Sequence, residues 1–169
     1  MDQAIEVRDG MDALRRIVRA LRVSARAAER DHGVSGAQLF VLQQLEDAPA
    51  PSLRELAQRT ATDQSSVSVV VARLVERGLV ARQVARDDAR RAEIAITGTG
   101  RAIIRRAPDA APGRLLDAMT SLPVRVRRPL TRGLVQLAAA LEASSVAPPM
   151  FFEDETPRAR SARRRTHAR

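Results

Sequence analysis

The chain has 169 residues and carries 29 cationic side chains, every one an arginine, against 20 carboxylates, for a formal net charge of +9. That length fits one domain with a real core and a margin beyond it, and the cationic surplus points to a polyanionic partner, either nucleic acid or an acidic membrane surface. The lack of cysteine excludes a disulfide framework, a Cys-ligated zinc and a thiol switch; two histidines, His32 and His167, build no metal site alone; and no apolar run approaches the roughly 20 residues of a membrane span.

Charged and apolar residues alternate from Asp2 onward, so no signal peptide is expected and the chain reads as cytoplasmic. From about Gln3 to Arg30 the residues Met11, Leu14, Ile17, Val18, Leu21, Ala25 and Ala28 recur at helical spacing, with Arg15, Arg19, Arg22, Arg26 and Arg30 on another face. This amphipathic helix lacks the Trp or Phe of a membrane-surface helix and is expected to pack on protein instead. After the turn His32-Gly33-Val34-Ser35, the pair Ser35 and Gln38 forms a capping box that opens a helix burying Leu39, Phe40, Leu42 and Leu45. Pro49 and Pro51 end that stretch. Ser52 and Glu55 form a second capping box, before a short helix to about Arg59 with Leu53, Leu56 and Ala57 as its apolar side.

Thr62 is read as the cap of a third helix, Asp63 to Arg77, which Gly78 ends in the left-handed conformation. Two short helices, a tight link and a longer helix have the spacing of a helix-turn-helix. At 100° per residue, Val67, Val70, Val71, Leu74 and Gly78 point inward. Ser65, Ser68, Val69, Ala72 and Glu76 point outward, with Ser66 and Arg73 on the flank, so the exposed face is small enough to come close to another molecule. Leu79–Val84 and Ala92–Ile96 then read as the arms of a hairpin whose tip, Arg86 to Arg91, holds three cations, Arg86, Arg90 and Arg91, and two anions, Asp87 and Asp88.

Thr97 caps the next helix, and Pro108 and Pro112 are expected to interrupt a single helix from Gly98 to about Met119. Ser121 is read as the start of a last helix, kinked near its start by Pro129, with Leu130, Leu134, Leu137 and Leu141 at 4-3-4 spacing, a narrow seam suited to another helix. Residues 147–169 carry an acidic triplet and then six arginines among the last twelve residues; without periodicity, this tail is expected to be disordered.

Four pieces in this order resemble the DNA-binding core of the multiple antibiotic resistance regulator (MarR) family of winged helix-turn-helix transcriptional regulators. They are "Gln38-Leu-Phe-Val-Leu-Gln-Gln-Leu45", "Leu53-Arg-Glu-Leu-Ala57", "Arg73-Leu-Val-Glu-Arg-Gly-Leu-Val80" and the wing signature "Asp88-Ala-Arg90 … Ile96-Thr97-Gly-Thr-Gly100". The resemblance implies a mostly α (α+β) fold: one domain over 1–146, with a winged helix-turn-helix at 35–100, a wing at 79–97, and dimerisation helices at 1–31 and 121–146. It further implies a homodimer on a palindromic operator in double-stranded DNA, acting as a repressor relieved by a small aromatic or acidic effector. Gln64, Ser65, Ser66, Ser68, Val69 and Arg73 would face the major groove, while Arg90 enters the minor groove and Arg86 and Arg91 meet phosphates. Asp88 is read as a brace that aims Arg90 outward.

The sequence departs from its relatives in three ways. The position of Val69 is commonly polar or basic in the family, Pro108, Pro112 and Pro129 fall in helices that are smoother in relatives, and the lack of Cys excludes the thiol-sensing branch. No effector pocket is assigned, although Arg15, Arg19 and His32 sit near where relatives hold acidic ligands. "Ile94-Ala-Ile-Thr-Gly98-Thr-Gly100" imitates a dinucleotide-binding turn, but Ile103 stands where the third glycine belongs and no second βαβ unit follows, so no enzyme activity, cofactor or metal is expected. The alternative function is a protein- or effector-binding module that keeps the winged-helix fold without specific DNA binding.

Overall fold

The computed structural model describes residues 3–84, 92–141 and 150. Its elements are α1 (Gln3–His32), α2 (Gly36–Gln44), α3 (Leu53–Arg59), α4 (Gln64–Glu76), β1 (Val80–Val84), β2 (Ala92–Ile96), α5 (Gly98–Ile104), α6 (Ala111–Ser121) and α7 (Val124–Ala140).

α2 is the hub of the fold. Residues 36–42 are all buried, which is why Leu39, Phe40, Val41 and Leu42 can follow one another without a polar interruption. A helix apolar on every side must be surrounded, and α2 packs on α1, α3, α4, α5 and α6. Its start is the capping box read from the sequence: Ser35 Oγ accepts the Gln38 amide at 3.2 Å and Gln38 Oε1 accepts the Ser35 amide at 3.1 Å. Gln38 Oε1 also accepts Arg77 Nη1 at 2.8 Å, while Arg77 Nη2 donates to Gly33 O at 2.6 Å. One arginine thus ties the end of α4 to the α1–α2 turn.

β1 and β2 form an antiparallel pair with Val80 opposite Ile96 and Val84 opposite Ala92. A third backbone segment joins them at one residue: Ala50 and Ile94 exchange amide bonds at 2.8 and 2.7 Å. This bridge anchors the α2–α3 connection to the foot of the hairpin. The same connection is held by Arg59, which donates to the carbonyls of Ala48 at 2.8 Å and Pro49 at 3.2 Å.

Several expectations are corrected. The Ser52–Glu55 pair is half a capping box: Ser52 Oγ accepts the Glu55 amide, but the Glu55 carboxylate turns to Arg59 Nε at 3.3 Å, a charged donor one turn away. Thr62 does not cap the third helix. Its amide closes the end of α3 by bonding to Ala57 O, and extended Asp63 supplies the cap, so the helix begins at Gln64. The helix expected from Gly98 to about Met119 is interrupted, since α5 ends at Ile104 and α6 starts at Ala111, but Pro112 itself does not lie in the break. It sits in the first turn of α6, where its missing N–H has no intrahelical acceptor to lose. Ser121 ends α6 instead of opening the last helix, which starts behind Pro123 and runs through Pro129. The part of the last predicted helix at 142–146, and the tail at 147–169 apart from buried Met150, lie outside the described residues.

Two surfaces stay uncovered. α7 buries none of its residues, and Leu130, Leu134, Leu137 and Leu141 are all exposed. α1 buries only Leu21, Ala25 and Ala28 of its seam, leaving Met11 and Ile17 exposed.

Candidate nucleic-acid interface

The turn between α3 and α4 is built by backbone bonds. Thr60 closes α3, Ala61 takes φ +49, its amide bonds to Gln58 O at 3.2 Å, and the Thr62 amide bonds to Ala57 O at 3.0 Å. That pair of bonds is a Schellman motif, which usually places glycine at the left-handed position. Here an alanine holds it. The far end of α4 repeats the motif with Gly78 at φ +65, where Gly78 N bonds to Val75 O and Leu79 N to Leu74 O, both at 2.9 Å. α4 is therefore a rigid rod stopped sharply at both ends.

Its inner face is the one the periodicity marks: Val67, Val70, Val71 and Leu74 are buried. Gly78, expected inside, is exposed because the left-handed turn swings it past the core. Outside lie exposed Gln64, Ser65, Val69, Ala72 and Glu76, with Ser68 and Arg73 half-buried. Val69 is 46% exposed, a large value for a valine on a packed lobe, so its methyls are offered to whatever approaches. Ser66 departs from the expectation that it shares this face. It is only 7% exposed, turned toward the α3–α4 junction.

The two serines share one acceptor. Asp63 accepts the Ser66 amide at 2.9 Å and the Ser66 hydroxyl at 2.7 Å, and it also accepts the Ser65 hydroxyl. The Ser65 hydroxyl foremost, then the Ser66 hydroxyl and amide, hold the Asp63 carboxyl well below the usual carboxylate range. Nothing in the periodicity marked Asp63 as part of this surface; the signal available was an Asp three residues before Ser66, an N-cap spacing.

A cleft of about 300 Å³ lies between the start of α3, Gln64 and the foot of the hairpin, and Arg54 and Arg82 line it from different elements. Neither guanidinium has a hydrogen-bond or ion-pair partner among the described residues, and Glu93, which lines the same cleft, accepts from Gln83 Nε2 at 2.8 Å. Sequence reading passed over both arginines, since each sits singly in its element. Residues 85–91, with Arg86, Asp88, Arg90 and Arg91, lie outside the described residues.

Elsewhere, α1, the α5–α6 connection and the start of α6 line a groove of about 700 Å³, with Arg16, Arg19, Arg114 and Asp109 beside Ala20 and Val23. Arg19 is the one residue of the Arg15, Arg19 and His32 group found there. Arg15 pairs with Asp12 on the exposed side of α1.

The MarR family model matches residues 32–91. The match runs from the end of α1 through α2, α3, α4 and β1. Solved structures similar to it include a MarR family transcriptional regulator from Rhodococcus sp. RHA1, with 23% identity and a TM-score of 0.53, covering 81% of this chain and 98% of that one. BldR, a transcriptional regulator from Sulfolobus solfataricus, and a MarR family protein from Bacillus stearothermophilus are each 21% identical with TM-scores of 0.51, each match covering 83% of this chain and 99% of the other. No curated protein matches the chain by sequence. At these identities the structures establish the fold: a MarR-type winged helix with helical extensions on both sides of the lobe. Among the described residues no helix is long and apolar enough to cross a membrane.

Proposed function

We propose that the chain is a sequence-specific, DNA-binding transcriptional regulator that acts as a homodimer on a palindromic operator. Its lobe is the winged helix-turn-helix at 35–100, and residues 1–31 and 121–146 supply the dimer contacts. One observation carries the reading. α4, following a helix-turn-helix junction, presents a narrow face of Ser65, Ser68 and Val69 beside Arg54 and Arg82, which have no partner among the described residues. A helix with small residues outward enters the major groove without steric hindrance, and arginines on its border meet phosphates.

On this reading Gln64, Ser65, Ser68, Val69 and Arg73 contact the operator, with Ser66 supporting the helix start from behind. The wing tip completes the contact. Arg90 enters the minor groove, where negative potential is strongest over narrow A·T tracts, Arg86 and Arg91 neutralise phosphates, and Asp88 braces the turn. The regulator is a repressor, and a small acidic effector held over the Arg16–Arg19–Arg114 groove relieves it. The arginine-rich tail adds affinity without specificity.

A salt titration tests the proposal at its base. Binding of the full chain to mixed-sequence duplex should weaken steeply with salt, with a slope of about −0.9 for each neutralised phosphate. Selection from genomic DNA should then enrich a two-fold-symmetric sequence. Micromolar protein that binds no duplex at low salt would overturn the reading in favour of a protein- or effector-binding module, which the apolar Val69 and Ala72 on the outer face of α4 would equally suit.

A further inference from the structure

Hydrogen-bond direction on α4 is set by chemistry. A carboxylate carries no proton and can only accept, whereas a serine hydroxyl has one proton and two lone pairs. Both Ser65 and Ser66 bond through their hydroxyls to Asp63, so both must donate. The carboxyl stays ionised at any pH where DNA is double-stranded, since its partners hold it below the ordinary range. Ser66 is buried and its amide also goes to Asp63, so it belongs to the helix start. Ser65 is different. It is exposed, its single proton is committed, and it meets an approaching molecule with lone pairs alone.

We infer that Asp63 is a positioning residue for base recognition: by taking the Ser65 proton it makes Ser65 Oγ a pure acceptor, which pairs with the exocyclic amino group of adenine or cytosine and is refused by the acceptors of guanine and thymine. In the major groove only adenine N6 and cytosine N4 offer donors, while guanine N7 and O6 and thymine O4 accept. Val69 lies four residues on, hence on the same face of the helix, with its methyls exposed. An acceptor beside an apolar group matches the amino group and the C5-methyl that an A·T pair presents together. The inference rests on the proposal that α4 is the helix that enters the major groove.

The test is selection of bound duplexes from a randomised pool by the full chain and by Ser65→Ala, Asp63→Gly and Asp63→Asn. Wild type should enrich adenine or cytosine at one position of each half-site, and Ser65→Ala should lose that enrichment by about tenfold, the scale of one base contact. Glycine is a tolerable N-cap residue but takes no proton, so Asp63→Gly leaves Ser65 able to rotate and donate, and guanine and thymine should enter at that position. Asparagine keeps an oxygen for the Ser65 proton, so Asp63→Asn should retain the wild-type preference despite its lost charge.

Asp63→Gly that selects as wild type does, or Asp63→Asn that selects as Asp63→Gly does, overturns the inference. Should Asp63→Gly not fold, Ser65→Ala decides: an unchanged base preference overturns it, and loss confined to an adenine or cytosine position supports it. Wild-type protein that selects no sequence because it binds no duplex overturns the underlying DNA-binding reading instead, a different result from binding that prefers guanine or thymine at the Ser65 position.

Discussion

At Gly100 a side chain has no space. A Cβ there would stand 2.3 Å from Leu79 O and 2.7 Å from Ile96 Cγ1, one of them backbone that cannot swing aside. The cause is Thr97, whose hydroxyl donates to Gly78 O at 2.8 Å and whose amide donates to Leu79 O at 3.0 Å, drawing the start of α5 against the end of α4. Thr97 Oγ1 then accepts the Gly100 amide at 3.1 Å. The threonine-glycine spacing of the wing signature is therefore a packing device. Gly100→Ala should destabilise the fold by about 1–3 kcal/mol, the usual cost of overpacking, seen as a lower thermal midpoint. Ala61 offers the opposite case. It holds a left-handed conformation in a solvent-exposed turn, which costs an L-residue about 1–2 kcal/mol. Ala61→Gly removes that cost but adds chain entropy to the unfolded state, so a gain of up to about 1 kcal/mol is expected from denaturant titration. A lower midpoint would mean that the strain in the turn is smaller than the chain entropy the glycine adds.

Among the elements, α6 shows how a helix start is made at a distance. No side chain next to it in sequence caps it, yet the Ala111 amide donates to Ser24 Oγ of α1 at 3.0 Å and the Ala110 amide donates to Gln43 Oε1 of α2 at 3.0 Å. Gln43 Nε2 also donates to Pro108 O at 3.1 Å, so one amide side chain fixes the α5–α6 connection from both sides. Ala110 and Ala111 are buried, and a buried amide left without a partner is costly. Gln43→Ala should lower stability by about 1–3 kcal/mol and Ser24→Ala by about 1 kcal/mol. Because both act on one helix start, the double variant should fall short of the sum. Additive losses in a chemical-denaturation cycle would show that the two caps work independently. The Gln43 cap joins α2 to the start of α6, and the Ser24 cap joins α1 to the same helix start.

For the whole molecule, the uncovered helices decide the expected assembly. α7 exposes Leu130, Leu134, Leu137 and Leu141 along one seam, and α1 exposes Met11 and Ile17. A continuous apolar stripe of that length is rare on a monomer, and a second copy of the chain offers the same stripe in return. The chain should sediment as a homodimer at micromolar concentration. Leu134→Asp with Leu137→Asp should shift it to monomer, because two carboxylates buried in such a seam lose their hydration without gaining partners. The lobe should keep its helical signal, since neither leucine is buried within one chain. Wild-type protein that stays monomeric would remove the basis for a two-fold-symmetric operator, leaving a single lobe on a single half-site.

What the sequence determined by itself lies within about four residues of each signal. The Ser35–Gln38 box, the Thr97 cap, the left-handed Gly78, the inner valines of α4 and the arms of the hairpin all follow from local bonds or from helical and strand periodicity. The family resemblance rested on the same short pieces, and the fold it implied is the fold observed. Tertiary structure decided the rest. Phase alone put Ser66 on the flank of α4, but packing of α3 against α4 turned it inward and gave its hydroxyl to Asp63. The Ala50–Ile94 bridge, the cleft shared by Arg54 and Arg82, and the capping of α6 from Ser24, 87 residues away, join segments with no common period. Such contacts are chosen by which surfaces remain unsatisfied once the core has closed around α2, and a polar residue bears no mark in sequence of the distant amide it will meet.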